Sequence, residues 1–361
     1  MKTITLVCID SFYHIGLVKE NYAIVKEKPK AGDIMANVTS EEYISKIKGG
    51  IYGLLIGDAL GVPYEFHMKE DIPPIEQIEM TPPDGFIRAH SGTAPGTWSD
   101  DGAQALCLLD SLIYKDRFDL TDFSDRVLAW YENGLWAVDN RVFDVGIQTS
   151  MALSMYKSGG KPEDCGIIRP DGKGNGALMR VLPLVLWHTG TDTELVSDAH
   201  KQCLITHGNI TNQVCCALYC LIARELLKGS SFDVSLDSAI QKLRSIYVDK
   251  PAYLDEFLFR LQSDEPDIWI GKGGGYVVDS LRSAVMIMKT ANSYEEAVKQ
   301  AIALGDDTDT TACITGGIAG VKFGYDNIPS RWLNELRDKD KIDKLINKLI
   351  LDISNHVGKK E

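Results

Sequence analysis

From residue 40 onward the sequence predicts an all-α body, because apolar residues recur at helical spacing in segment after segment and runs with strand character are nearly absent. A third observation agrees: several segments open on a capping residue followed by acids, the usual marks of a helix N-terminus. Residues 1–39 lack that periodicity and predict an N-terminal extension. Within it Leu6 to Ile9 reads as a short strand and Lys26-Glu27-Lys28-Pro29-Lys30 as an exposed connector.

The first helix is expected after Thr39, with Ser40 as its cap and Glu41 and Glu42 in the first turn; Ile44, Ile47, Ile51, Leu54 and Leu55 then repeat helically. Gly49, Gly53, Gly57 and Gly61 recur every four residues along it, a stripe without side chains. Glycine weakens a helix, so the stripe implies that another backbone or a ligand comes close. Asp58 lies beside the stripe, Pro63 ends the helix and Glu65 follows, either as a ligand or as a surface acid.

Residues 69–97 read as a long surface loop leading to Ser99, which is placed to cap a helix whose first turn holds Asp100 and Asp101. Further helices are expected around 121–132 and 143–157. The loop from Arg169 to Gly176 is glycine-rich and runs into Ala177-Leu-Met-Arg180, read as another helix start whose free amides suit phosphate, with Arg180 assisting; most such loops are simple turns. His207, more often a capping or core residue than a catalyst in such a position, precedes an apolar helix from Gln213 to Leu227. Gly271 to Gly275, with Lys272, forms a second flexible loop before a helix from Tyr276 to Met288. Ser293 and Glu296 make a capping box for a helix reaching Leu304.

The stretch Gly305-Asp306-Asp307-Thr308-Asp309-Thr310-Thr311 carries three carboxylates and three hydroxyls in seven residues. Acids at a helix start complement the helix dipole. If these side chains converge, however, they repel, and the ways out are protonation, solvent or a bound cation; hard oxygen ligands favour magnesium or calcium over zinc. The acidic starts at 99–101 and 307–310 suggest one site assembled from both, since each alone supplies too few ligands. A calcium loop counted from Asp307 fails, because Ala312 and Ile318 stand where glycine and glutamate are needed.

The formal net charge of −13 argues against a broad basic surface for nucleic acid or an anionic membrane. No apolar run is read as long enough to span a bilayer. The eight cysteines show no paired metal spacing, and buried, reduced thiols in a cytoplasmic protein are the expectation.

Four ordered motifs, Gly57-Asp-Ala-Leu-Gly-Val-Pro-Tyr-Glu65, Gly96-Thr-Trp-Ser-Asp-Asp101, Gly174-Asn-Gly-Ala-Leu-Met-Arg180 and Gly305-Asp-Asp-Thr-Asp-Thr310, closely resemble the ADP-ribosylglycohydrolase family, including the dinitrogenase-reductase-activating glycohydrolases. Phe143-Asp-Val-Gly146 and the tail from Gly324 to Trp332 also resemble it, so the likeness spans about residues 40–355. It implies an orthogonal multi-helix bundle, with two magnesium ions in a cleft, that removes ADP-ribose from modified proteins; arginine is the preferred linkage. Ser99, Asp100, Asp101, Asp307, Asp309 and Thr310 fall on the family's metal ligands. Glu65, Asp100 and Asp307 are the candidate proton carriers. Asp144, Gly146, Asn175, Gly176, Arg180 and His207 fall to substrate binding, with Asn175 and Gly176 at the phosphates.

Three positions depart from the family pattern. Gly102 replaces a usual threonine, Asp306 stands where glycine or asparagine is common, and Ile210 replaces a frequent proline. Some family members are immunity proteins that neutralise ADP-ribosyltransferase toxins, and residues 1–39 would suit insertion into such a toxin. A metal-free glycosidase with two carboxylates is a weaker alternative, given the number of clustered acids.

Overall fold

The computed structural model describes residues 40–262 and 267–358; the extension and its expected strand lie outside the described residues. The regular elements of the described chain are helices, the α-helices being α1 Ser40–Gly61, α2 Asp100–Lys115, α3 Leu120–Asn133, α4 Ile147–Lys157, α5 Pro162–Cys165, α6 Leu182–Trp187, α7 Asp192–Cys203, α8 Ile210–Leu227, α9 Phe232–Tyr247, α10 Pro251–Leu261, α11 Val277–Met288, α12 Tyr294–Ile302, α13 Thr308–Phe323, α14 Ser330–Glu335 and α15 Lys339–Gly358. The β-pairing among described residues is a single bridge between Gly174 and Tyr276.

The all-α reading holds, with differences in detail. α4 begins four residues later than expected because residues 143–146 are non-helical, with Asp144 at a positive φ of 55° and Gly146 at φ −58°, ψ 142°. Ala177 to Arg180 is a turn, not a helix start; the helix that follows begins at Leu182, where Pro183 fits the first turn. Ser293 caps α12 as expected, but the Glu296 carboxylate reaches back to the Asn292 N–H. α8 is long and apolar enough to cross a membrane by length and composition, contrary to the sequence reading. Within this fold 94% of it is buried, so it serves as the core helix.

The glycine stripe explains the centre of the fold. α1 and α13 run antiparallel in backbone contact: a Cβ at Gly49 would lie 2.3 Å from the Gly320 carbonyl oxygen, one at Gly53 2.4 Å from that of Gly316, and one at Gly57 2.1 Å from that of Ala312. Gly316 and Gly320 make room in the same way from the other side. Tyr294 Oη donates to the Gly53 carbonyl and Tyr219 Oη to that of Ile314, so carbonyls flanking the contact are also paired. Because the pair is antiparallel, the end of α1, with Glu65 just beyond it, meets the start of α13. Thr308 Oγ1 closes that junction on the Gly61 carbonyl at 2.9 Å.

Candidate active site

Three elements converge at this junction. α2 is aimed by Asp58 of α1, whose buried carboxylate accepts the Ser99 N–H at 2.9 Å and the Gly102 N–H at 2.7 Å. Ser99 Oγ accepts the Asp101 N–H, as the capping pattern predicts. Asp100 and Asp101 therefore enter the site on a helix start held by two independent acceptors. Across from them Thr310 Oγ1 donates to Asp101 Oδ1 at 3.4 Å, which joins the two acidic helix starts.

The third element is the loop after α1. Phe66 N–H donates to the Asp306 carbonyl at 2.8 Å and Asp306 N–H to the His67 carbonyl at 2.7 Å. This two-way clamp fixes Glu65 beside Asp307. Carboxylate oxygens of Glu65, Asp307 and Asp309 lie within 4.8 Å of one another, as do ligand atoms of Glu65, His90 and Asp144. His90 Nε2 lies 2.6 Å from Glu65 Oε2.

These groups surround a cavity of about 360 Å³ lined by Glu65, Asp100, Asp101, Asp144, Gly146, Asn175, Gly176, His207, Asp307 and Thr310 among others. Ser99 and Asp309 stand just behind the wall. Among the described residues, no lysine or arginine lines it. Burial raises the pKa of Asp144, and burial together with neighbouring carboxylates raises that of Asp307, takes Asp100, Asp101 and Asp309 well above the usual range and brings Glu65 to about 7 despite the His90 contact. Asp58 is likewise raised to about 7 by burial. The His90 hydrogen bond to Glu65 raises the histidine in turn.

Two carboxylate oxygens, Asp101 Oδ2 and Asp309 Oδ2, are buried without a hydrogen-bond partner. An orphaned buried acceptor is costly, and a hard cation is the partner that suits such a pair. The donor set is all oxygen on this side of the cavity and fits magnesium.

The glycine-rich loops serve the site differently from the sequence expectation. Asn175 N–H donates to the Gly275 carbonyl and Asp307 N–H to the Gly273 carbonyl, so the 271–275 loop ties the two site segments together. One amide expected to face phosphate is thus spent inside the protein. The Asn175 side chain donates to Asp307 Oδ2 at 2.7 Å and to Ser280 Oγ, holding the acid. Gly176 leaves room for His207, since a Cβ there would sit 2.6 Å from His207 Cε1. Burial, with Arg180 nearby, lowers the His207 pKa to about 3, so this ring faces the cavity neutral.

Arg180 is the one predicted site residue placed elsewhere. It is fully buried and gives its donors to Gln104 Oε1 at 2.7 Å, Gln202 Oε1 and the Gln202 carbonyl. Gln104 Nε2 in turn donates to Asp100 Oδ2 at 2.9 Å, so Arg180 stands behind an acid and not against an anion. The sequence reading missed His90, the capping role of Asp58 and this relay.

The departures resolve locally. A Cβ at Gly102 would lie 2.7 Å from Leu55 Cδ2 and 2.9 Å from Trp98, so the site has no room for a larger residue. Asp306 has φ 62°, a conformation open to glycine, asparagine and aspartate. Ile210 is the first residue of α8, the position where proline also fits, and Asn209 caps that helix.

Comparisons with known proteins agree with the motifs. A family model described as ADP-ribosylglycohydrolase matches residues 39–357. The chain is 30% identical over 314 residues to the ADP-ribosylarginine hydrolase Tri1 of Serratia proteamaculans, covering 86% of this chain and 81% of that protein. It is 26% identical over 301 residues to the ADP-ribosyl-dinitrogen reductase glycohydrolase of Rhodospirillum rubrum, covering 83% and 92%. Among solved structures, one described as an ADP-ribosylglycohydrolase-related protein complex superposes with a TM-score of 0.67 at 30% identity, over 86% of this chain and 98% of that one.

Proposed function

This chain belongs to the ADP-ribosylglycohydrolase family and is a hydrolase of ADP-ribose linkages, and from that premise we propose that it frees arginine side chains of ADP-ribose with the help of two magnesium ions. The arginine linkage is supported by the likeness to Tri1, named as an ADP-ribosylarginine hydrolase. The observation that carries the metal reading is the pair of partnerless buried oxygens, Asp101 Oδ2 and Asp309 Oδ2, beside a wall rich in acids to which, among the described residues, no lysine or arginine contributes.

Asp100, Asp101, Asp307, Asp309, Ser99 and Thr310 would hold the ions, which when bound neutralise the acids and polarise oxygens beside them. The protein's own groups do the rest. Asn175 and Gln104 fix the Asp307 and Asp100 carboxylates, so that the ribose meets acids already oriented. Glu65 Oε2 is held by His90, which leaves Oε1 to take a proton from attacking water or return one to the leaving nitrogen. Burial works to raise this carboxyl, which favours its carrying a proton at this position. Neutral His207 and the 174–176 turn position the remainder of the nucleotide.

The test is release of ADP-ribose from an ADP-ribosylated arginine peptide by the purified protein with magnesium. No release from arginine, serine or O-acetyl conjugates would overturn the reading.

Residues 1–39 are proposed as a separate element that binds and blocks an ADP-ribosyltransferase toxin. In support, the family match begins at residue 39. Deletion of residues 1–39 should abolish toxin binding and spare hydrolysis; unchanged binding refutes this role. The described cysteines are free and buried, which suits the reducing cytoplasm proposed as its compartment.

A further inference from the structure

Phe66 is a large apolar side chain left 68% exposed on the wall of the catalytic cavity. Its backbone has φ 62°, a genuine outlier for a bulky residue, held there by the paired hydrogen bonds to Asp306. Such strain persists only where surrounding structure enforces it, and it concentrates at ligand sites. Exposing an aromatic ring in a strained conformation brings no folding gain, so a ligand is the natural reason for it.

The surroundings identify the ligand's chemistry. Phe66 heads a row of rings: its centroid lies 5.7 Å from that of His90, which lies 5.2 Å from that of Phe143. His90 holds Glu65 and has an Asp144 carboxylate oxygen at 3.9 Å. Asp306, exposed beside Phe66, adds a second carboxylate to the same cavity wall. An exposed ring sharing its cavity wall with carboxylates, and with no lysine or arginine among the described residues of that wall, suits a planar cation. Exposed Ile147 also lines the cavity and offers an apolar contact for the methylene stem behind such a cation.

We infer that Phe66, with Asp144 and Asp306, forms the subsite for the guanidinium of the modified arginine, on the leaving-group side of Glu65. This rests on the proposed arginine linkage and adds the residue that selects it. The ring acts in binding, so it sets KM for the arginine-linked substrate and leaves the affinity for the ADP-ribose product alone.

The experiment compares wild type, Phe66→Leu and Phe66→Trp on an ADP-ribosylated arginine peptide, with titration of free ADP-ribose and thermal melting alongside. Leucine keeps apolar bulk and removes the ring face. The expected result is a KM raised about tenfold in Phe66→Leu, equivalent to about 1.4 kcal/mol, with kcat little changed and near wild-type behaviour in Phe66→Trp. Unchanged ADP-ribose affinity and melting temperature complete the expected result. An unaltered KM in Phe66→Leu overturns the inference, as does weakened ADP-ribose binding, which would place the ring on the nucleotide. If wild type releases ADP-ribose from a serine-linked peptide and not from the arginine peptide, the arginine reading itself fails and the subsite falls with it.

Discussion

Thr310 Oγ1 donates to Asp101 Oδ1 across 209 residues of sequence, and the other oxygen of that aspartate, Oδ2, is buried with no partner. The first oxygen fixes the side chain; the second is what a cation would use. Asp101→Asn is therefore expected to weaken magnesium binding by at least about tenfold, measured by calorimetry. The same change should raise the melting temperature of the ion-free protein, because one member of a buried like-charged cluster becomes neutral. Undiminished magnesium affinity would remove Asp101 from the site.

The stability of the ion-free protein should depend on pH through two opposed sets of groups. Asp58 and Glu65, raised to about 7, and Asp100, Asp101, Asp307 and Asp309, all raised, bind more protons when folded than when unfolded. Their contribution is present below about pH 4 and is lost as pH rises through the folded-state pKa of each, about 7 for Asp58 and Glu65. His188, lowered to about 4, and His200 and His207, lowered to about 3, are depressed mainly by burial and act the other way, losing stability as pH falls below about 6.5. Magnesium needs the ionised acids, so it offsets only the first set. The melting-temperature gain from magnesium over chelator should therefore widen from about pH 5 to about pH 8. A gap that stays constant with pH would mean the acids are not the magnesium site.

How much of this was legible follows from how local each signal is. The stripe from Gly49 to Gly61 and the Ser99 cap are periodic or adjacent patterns, and both act as the sequence implies. His90 was missed because it reaches Glu65 from 25 residues away, in a segment with no periodicity. Arg180 was misplaced because nothing beside it in sequence reveals Gln104 and Gln202, the remote side chains that draw it inward. The backbone part of Asp306, its φ of 62° and its two hydrogen bonds to the 66–67 loop, is invisible in residue type, and its proximity to Phe66 is a contact between segments 240 residues apart that sequence does not display.

Gly57→Ala tests the backbone contact between α1 and α13. The added methyl would lie 2.1 Å from the Ala312 carbonyl oxygen, and backbone on both sides leaves nothing flexible to yield. The helices must part at the end that carries the site. A loss of about 3 kcal/mol in urea unfolding is expected, together with weaker magnesium binding. Gly85→Ala is the control: its Cβ meets nothing within 4 Å, so only the positive φ of 89° opposes it, at about 1 kcal/mol. Equal effects of the two substitutions would contradict the close-contact account.

Asp58 presents two readings that one pair of variants separates. As the acceptor for the Ser99 and Gly102 N–H groups it is a cap that aims α2; as a buried acid with a raised pKa it resembles the metal ligands. Asp58→Ala strands two buried donors and should destabilise the protein by about 2–4 kcal/mol, with magnesium binding lost as Asp100 and Asp101 go astray. Asp58→Asn keeps one carbonyl oxygen facing those donors. If Asp58 is a cap, the asparagine variant recovers much of the stability and binds magnesium far better than Asp101→Asn does. If it is a ligand, both asparagine variants lose magnesium alike while Asp58→Asn stays well folded. The cap is the expected outcome, because both Asp58 oxygens already accept backbone N–H groups, whereas Asp101 Oδ2 accepts none.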